Sequence, residues 1–140
     1  MAVIAEQVRI LLVEDDDGDA LLVEELLREG GASVAVERAR RLADARRLIP
    51  AAGCVLLDLG LPDSQGLDGL HWLLRQDPDA AVVVLTGVAD KYLGEHAVRA
   101  GAQDYLVKGD VTGQMLHRVI RRTPGLSGAC CPRRCSATRG

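Results

Sequence analysis

Three acids, a hydroxyl and an ammonium stand at the ends of four short apolar runs in this chain. Glu14 and Asp15 follow Val8-Arg9-Ile10-Leu11-Leu12-Val13, and Asp58 follows Cys54-Val55-Leu56-Leu57. Thr86 follows Val82-Val83-Val84-Leu85, and Lys108 follows Tyr105-Leu106-Val107. If the runs are neighbouring strands, these groups converge on one edge. Asp16 is the next acid along. Two carboxylates ~4 Å apart repel by roughly 4 kcal/mol at an effective dielectric near 20. Such a group needs a proton or a cation. An oxygen-only donor set with room for water suits Mg²⁺, and the backbone carbonyl of Gly60 can add a further ligand. Asp58 is then the natural nucleophile, since a carboxylate can attack phosphorus to give an aspartyl phosphate. Lys108 can reach one phosphoryl oxygen and the Thr86 hydroxyl another. Phosphoryl transfer needs mostly positioning and charge stabilisation, and these residue types supply both.

The runs that carry these residues suit buried parallel strands: short, rich in Val and Leu, with little alternation. Helical patterns fall between them. Gly18–Glu29 has apolar residues at 22, 23, 26 and 27, and Gly30-Gly31 closes it. Val34–Val36 reads as a second strand. Arg41–Ile49 reads as a helix with Leu42, Ala45, Leu48 and Ile49 inward, stopped by Pro50. Gly66–Gln76 carries Leu67, Leu70, Leu73 and Leu74. Tyr92–Ala100 is a less apolar helix, ended by Gly101. Asp104–Val107 is the last strand. Val111–Arg122 is the last helix, with Met115, Leu116, Val119 and Ile120 on one side. Strand and helix thus alternate five times, which implies an α/β fold: a doubly wound, five-stranded parallel sheet, (βα)5. Ligands of such sheets bind outside the carboxyl ends of the strands. After the first strand comes Glu-Asp-Asp-Asp-Gly-Asp, not a glycine-rich phosphate cradle. No P-loop motif is present either, so nucleotide binding of those kinds is disfavoured.

The chain has 140 residues, 48% of them hydrophobic, enough for the core of one domain. Aromatics make up only 2%, so that core must be aliphatic. Residues 1–120 hold all 20 acids and 12 of the 17 basic residues, a net charge of −8, while the last 20 residues carry +5. An acidic body is a poor nucleic-acid binder, because phosphate neutralisation supplies most of that affinity. No apolar stretch approaches a membrane span. The first residues lack the pattern of a signal peptide, and a cytoplasmic location is expected. Cys54 sits in a strand and reads as a buried thiol. Cys130, Cys131 and Cys135 lack the fourth ligand and paired spacing of a structural zinc site. Residues 1–7 read as an N-terminal extension and 8–122 as the folded domain. Residues 123–140 read as a disordered basic tail, like non-native sequence from a shifted frame.

Taken in order, Val13-Glu14-Asp15, Leu57-Asp58-Leu59-Gly60-Leu61-Pro62, Leu85-Thr86-Gly87 and Tyr105-Leu106-Val107-Lys108-Gly109 resemble the response-regulator receiver domain of two-component signalling, over about residues 8–122. The resemblance implies the flavodoxin-like strand order 2-1-3-4-5. It implies Asp58 as phosphoacceptor, also contacting the metal. Glu14 and Asp15 become the acidic pair, with Asp15 a direct Mg²⁺ ligand and Glu14 acting through water. Thr86 becomes the switch hydroxyl, Tyr105 its coupled aromatic and Lys108 the phosphate-contacting lysine. It implies a sensor histidine kinase or phosphotransfer protein as donor, and a downstream effector or linked output domain as reader. A homodimer through residues 90–122 fits the same reading. The chain is then a switch rather than a dedicated enzyme, in a phosphorelay without membrane or direct nucleic-acid contacts.

Two positions depart from the commonest pattern. Gly60 puts no side chain over Asp58, and Gly109 follows the lysine where many relatives have Pro. Blander roles remain beside the functional ones: Asp58 or Thr86 as turn caps, Tyr105 as a half-buried strand residue, and Asp16, Asp17 and Asp19 as a solvated loop and helix start. Two rival functions remain as well. One is a Mg²⁺-dependent phosphatase with an aspartyl-phosphate intermediate, although Gly60 stands where such an enzyme has its second acid. The other is a receiver-like module that takes no phosphate.

Overall fold

The computed structural model describes residues 8–29, 34–87 and 90–122. The expected extension 1–7, the Gly30-Gly31 helix end and the tail 123–140 lie outside them. Strands β1 (Val8–Val13), β2 (Val34–Ala39), β3 (Cys54–Asp58), β4 (Val82–Thr86) and β5 (Asp104–Val107) alternate with helices α1 (Asp17–Glu29), α2 (Leu42–Ala45), α3 (Asp68–Gln76), α4 (Lys91–Arg99) and α5 (Gly113–Arg121). The strands form one parallel sheet in the order β2-β1-β3-β4-β5, as the resemblance implied. The order reverses between β1 and β3, the place at which open sheets of this kind bind their ligands. The carboxyl ends of β1, β3, β4 and β5 are therefore contiguous. Four separate sequence motifs meet along one edge.

Alternation along the strands divides the core in two. Leu11, Val13, Val55, Leu57, Val82 and Val84 pack with Leu42, Leu70, Leu73 and Ala97 of α2, α3 and α4. Ile10, Leu12, Leu56, Val83, Leu85 and Leu106 pack with Val23, Leu27, Leu116 and Ile120 of α1 and α5. Both faces of the sheet are covered, so β3 and β4 are buried at every residue. This is why their sequences are continuous apolar runs. Among the described residues no helix is long and apolar enough to cross a membrane.

Five elements differ from the sequence reading. Strand β2 runs to Ala39 rather than Val36, because each of its residues pairs with one of β1. The Arg41–Ile49 helix shrinks to Leu42–Ala45, followed by a turn and a 3₁₀ turn over Ile49–Ala51. Pro50 supplies no N–H to extend the helix and opens the 3₁₀ turn instead. The helix expected from Gly66 starts at Asp68, because Gly66 takes a left-handed φ of 54°. In α1 and α5 the buried stripes are offset: Leu22 and Met115, expected inward, are exposed, and Ala20 and Gly113 are buried instead.

Candidate functional site

Strand parity also sorts the candidate residues. Glu14, Asp58 and Lys108 continue the alternation of Leu12, Leu56 and Leu106, on the α1/α5 face. Thr86 continues that of Val82 and Val84, and Tyr105 packs on the same opposite face. The charged groups thus gather on one side of the sheet edge, with the hydroxyl and the phenol on the other.

Glu14 and Asp58 are buried, and Asp15 is partly open to solvent. Glu14, Asp15 and Asp58 each place a carboxylate oxygen within 4.8 Å of the others. Lys108 Nζ reaches into the group from the end of β5. It lies 2.7 Å from Glu14 Oε1, 2.9 Å from Asp19 Oδ2 and 3.1 Å from Asp58 Oδ1. Burial pushes the Glu14 carboxyl up from 4.5 to about 7. The Lys108 ammonium pulls against that shift, and Asp58 adds to it. Burial alone would lower Lys108, but the carboxylates of Glu14, Asp19 and Asp58 outweigh it. They hold the ammonium above its ordinary range, so it stays charged.

The backbone fixes these side chains locally. Asp16 N–H donates to Glu14 Oε2 at 3.2 Å, and Asp19 N–H donates to Asp16 Oδ1 at 2.8 Å, so Asp16 caps the start of α1. Gly60 N–H donates to Asp58 Oδ1 at 3.0 Å and orients that carboxylate. A side chain at position 60 would come within ordinary contact, 3.6 Å, of the same oxygen. Glycine therefore leaves this approach to Asp58 uncovered. Lys108 N–H donates to the Thr86 carbonyl at 2.8 Å, tying the ends of β4 and β5 together. Thr86 Oγ1 is buried with no hydrogen-bond partner. Buried hydroxyls are seldom left so, and this one can receive an oxygen of a bound group. The Tyr105 ring lies against Gly94 of α4 so closely that any Cβ there would overlap it.

Sequence reasoning missed two contributors. Asp19, read as part of a solvated loop, is drawn to Lys108; it lies one helical turn before the buried Val23, so it faces the sheet edge. Arg38 on the edge strand donates from Nε to the Glu14 carbonyl at 3.0 Å and pairs with Asp17 at 2.8 Å. Arg38, followed by Arg40, holds the exposed Asp17 carboxyl below its ordinary range. Together the two arginines brace the acidic loop from outside. No spacing rule announces either contact, because each joins residues distant in sequence.

Fold and site together define a flavodoxin-like α/β domain with an acidic, lysine-bridged pocket at its sheet edge. The sequence model of the response regulator receiver domain matches residues 10–120. The chain belongs to that family. It is 35% identical over 118 residues to the transcriptional regulatory protein DpiA of Escherichia coli, a match covering 81% of this chain and 52% of DpiA. It is 30% identical over 121 residues to the cell cycle transcriptional regulator CtrA of Caulobacter vibrioides, covering 84% of this chain and 52% of CtrA. It spans about half the length of each. Among solved structures, the receiver domain of NtrX from Brucella abortus superposes with a TM-score of 0.73 at 28% identity, covering 86% of this chain and 99% of that domain. Receiver domains are signalling switches rather than dedicated enzymes.

Proposed function

We propose that this chain is a phosphorylation-dependent switch in which Asp58 accepts a phosphoryl group from a phosphohistidine of a sensor histidine kinase or phosphotransfer protein. The observation that carries the reading is Lys108 Nζ, 3.1 Å from the buried Asp58 carboxylate, in a pocket shared with Glu14 and Asp15. An Asp58 oxygen attacks phosphorus, the P–N bond breaks, and the electron pair stays on the imidazole nitrogen, which takes up a proton. Lys108 and Thr86 Oγ1 then donate to phosphoryl oxygens. Asp15, Asp58 and the Gly60 carbonyl hold Mg²⁺, with Glu14 acting through water; the all-oxygen donor set fits that ion. When bound, Mg²⁺ neutralises charge on the transferred group. Thr86 moves toward the phosphate, Tyr105 turns into the vacated space, and the surface over residues 90–122 shifts between two populated states. That surface meets an effector, a linked output domain or a second copy. Residues 8–122 form the switch unit, and the chain works in the cytoplasm.

Incubation with acetyl phosphate and Mg²⁺, read by intact mass, tests the assignment. A single phosphate adduct in the wild type and none in Asp58→Asn is the expected result. An adduct that survives Asp58→Asn overturns it.

A further inference from the structure

A lysine ammonium has three N–H donors and no more. At Lys108 three carboxylates, those of Glu14, Asp19 and Asp58, stand within 3.1 Å of Nζ, and the hydrogen bond it donates goes to Asp19 Oδ2 at 2.9 Å. A phosphoryl oxygen arriving at Asp58 therefore competes with these carboxylates for the ammonium, and with Asp19 for the donor already in use. The three are not equally replaceable. Glu14 is fully buried, and releasing it would leave a carboxylate in the interior without its cation. Asp58 carries the incoming group and stays beside the ammonium. Asp19 has a side chain 43% exposed and sits in the first turn of α1. Water and the positive end of the helix can take over its charge once the lysine leaves.

We propose that Asp19 is a positioning residue for phosphoryl transfer: it occupies the Lys108 donor that a phosphoryl oxygen takes over, holds the ammonium beside Asp58 until then, and is released when the group arrives. The proposal rests on Asp58 being the phosphoacceptor. No covalent bond involves Asp19; the step is an exchange of ion-pair partners at Nζ. It has a mechanical consequence. The first turn of α1 is tethered to the pocket in the free protein and untethered in the phosphorylated one. Helix α1 packs on α5, where the Leu26 carbonyl abuts Gly113, so release at Asp19 reaches a helix pair away from Thr86 and Tyr105.

The test uses the full chain as wild type, Asp19→Asn, Asp19→Glu and Asp58→Asn, with acetyl phosphate and Mg²⁺. Phosphorylation rate is read by intact mass. Amide hydrogen exchange over residues 16–20 is read with and without beryllofluoride, a stable mimic of the phosphoryl group. In the wild type, exchange in that turn rises several-fold on loading. In Asp19→Asn it stands at the loaded level in both states. That variant is phosphorylated about fivefold faster, because one anion has left the path of an anionic donor and no ion pair need be displaced. Asp19→Glu restores the slower rate and the exchange difference. A wild type that takes the adduct while the α1 turn exchanges equally in both states overturns the proposal, as does Asp19→Asn at the wild-type rate. No adduct in the wild type, or the same adduct in Asp58→Asn, overturns the phosphoacceptor reading and this proposal with it.

Discussion

Stability of the metal-free protein should fall as pH rises through neutrality, with Glu14 as the cause. Its carboxyl is fully buried, and its pKa is raised from 4.5 to about 7, mainly by burial. The folded protein thus holds this proton more tightly than the unfolded chain does. The stabilisation from that proton is full below about 4.5 and is lost as pH rises through about 7. At about 1.4 kcal/mol per pH unit, moving from 4.5 to about 7 corresponds to roughly 3 kcal/mol. The assay is urea unfolding followed by Trp72, the single tryptophan, which packs against the α3 side of the core. Midpoints are compared at pH 5 and pH 8 in EDTA, then at pH 8 with Mg²⁺. We expect a loss of roughly 3 kcal/mol on going to pH 8 in EDTA, and recovery of much of it when Mg²⁺ takes the place of the proton. Glu14→Gln, a neutral isostere, should flatten the EDTA profile. An equal pH dependence in Glu14→Gln would refute the reasoning, as would stability that rises from pH 5 to pH 8.

Three further outcomes follow from the same geometry. Lys108→Met leaves Glu14 and Asp58 facing each other without an ammonium; it should cost about 3–5 kcal/mol at pH 8 in EDTA and clearly less at pH 5, where a proton replaces the cation, by the same urea assay. Gly94→Ala gains about 1 kcal/mol of helix propensity, but its Cβ overlaps the Tyr105 ring, a strain of about 1–3 kcal/mol, relieved if the ring turns outward. In a Tyr92→Phe background Tyr105 is the only tyrosine, and tetranitromethane should nitrate it faster in the alanine variant; an unchanged rate would show that the ring stays put. Burial pushes the Cys54 thiol from 9.0 up to about 12, so with Cys130, Cys131 and Cys135 changed to serine the folded protein should not react with Ellman's reagent at pH 8. Its stabilisation is full below 9.0 and lost toward 12, by about 1.4 kcal/mol per pH unit, so Cys54→Ala should flatten the alkaline limb of a stability profile.

The strands were legible because both faces of the sheet are covered, which forces each central strand into an unbroken apolar run that ends where the cover ends. Asp58 and Thr86 stood out for that reason: each is a polar residue at the end of a fully buried strand. The strand order came from the motifs' resemblance to a family, since alternation alone fixes that the sheet is parallel but not which strands adjoin. The helices were located well and faced less well. Leucine and methionine draw the eye to Leu22 and Met115, yet Ala20 and Gly113 are the buried residues. Gly113 has no hydrophobic signal at all; it is inward because the Leu26 carbonyl comes within 3.1 Å of where a Cβ would be. The α2 pattern failed through Pro50, which left the inward stripe intact but removed the helix beneath its later residues.

The site divides along the same line between local and distant information. Each strand-end residue announced itself locally, but how they meet depends on strand parity, a property of the assembled sheet. Parity gives the pocket two sides. Glu14, Asp58 and Lys108 lie with α1 and α5, and Tyr105 lies with α4. Thr86 is continuous with the second side, yet its carbonyl accepts from the backbone of Lys108, and its hydroxyl is left without a partner. A charge change at Asp58 thus has two short routes outward. One passes through Thr86 to Tyr105 and the Gly94 surface of α4. The other passes through Lys108 and Asp19 to the first turn of α1. The routes start from different atoms and end on opposite faces of the sheet, so a substitution can block one and leave the other intact. Gly94→Ala should change the environment of Tyr105 without altering exchange in the α1 turn, and Asp19→Asn should do the reverse. If either substitution moved both readouts together, the two faces would be a single mechanical unit, and the division by strand parity would carry no functional weight.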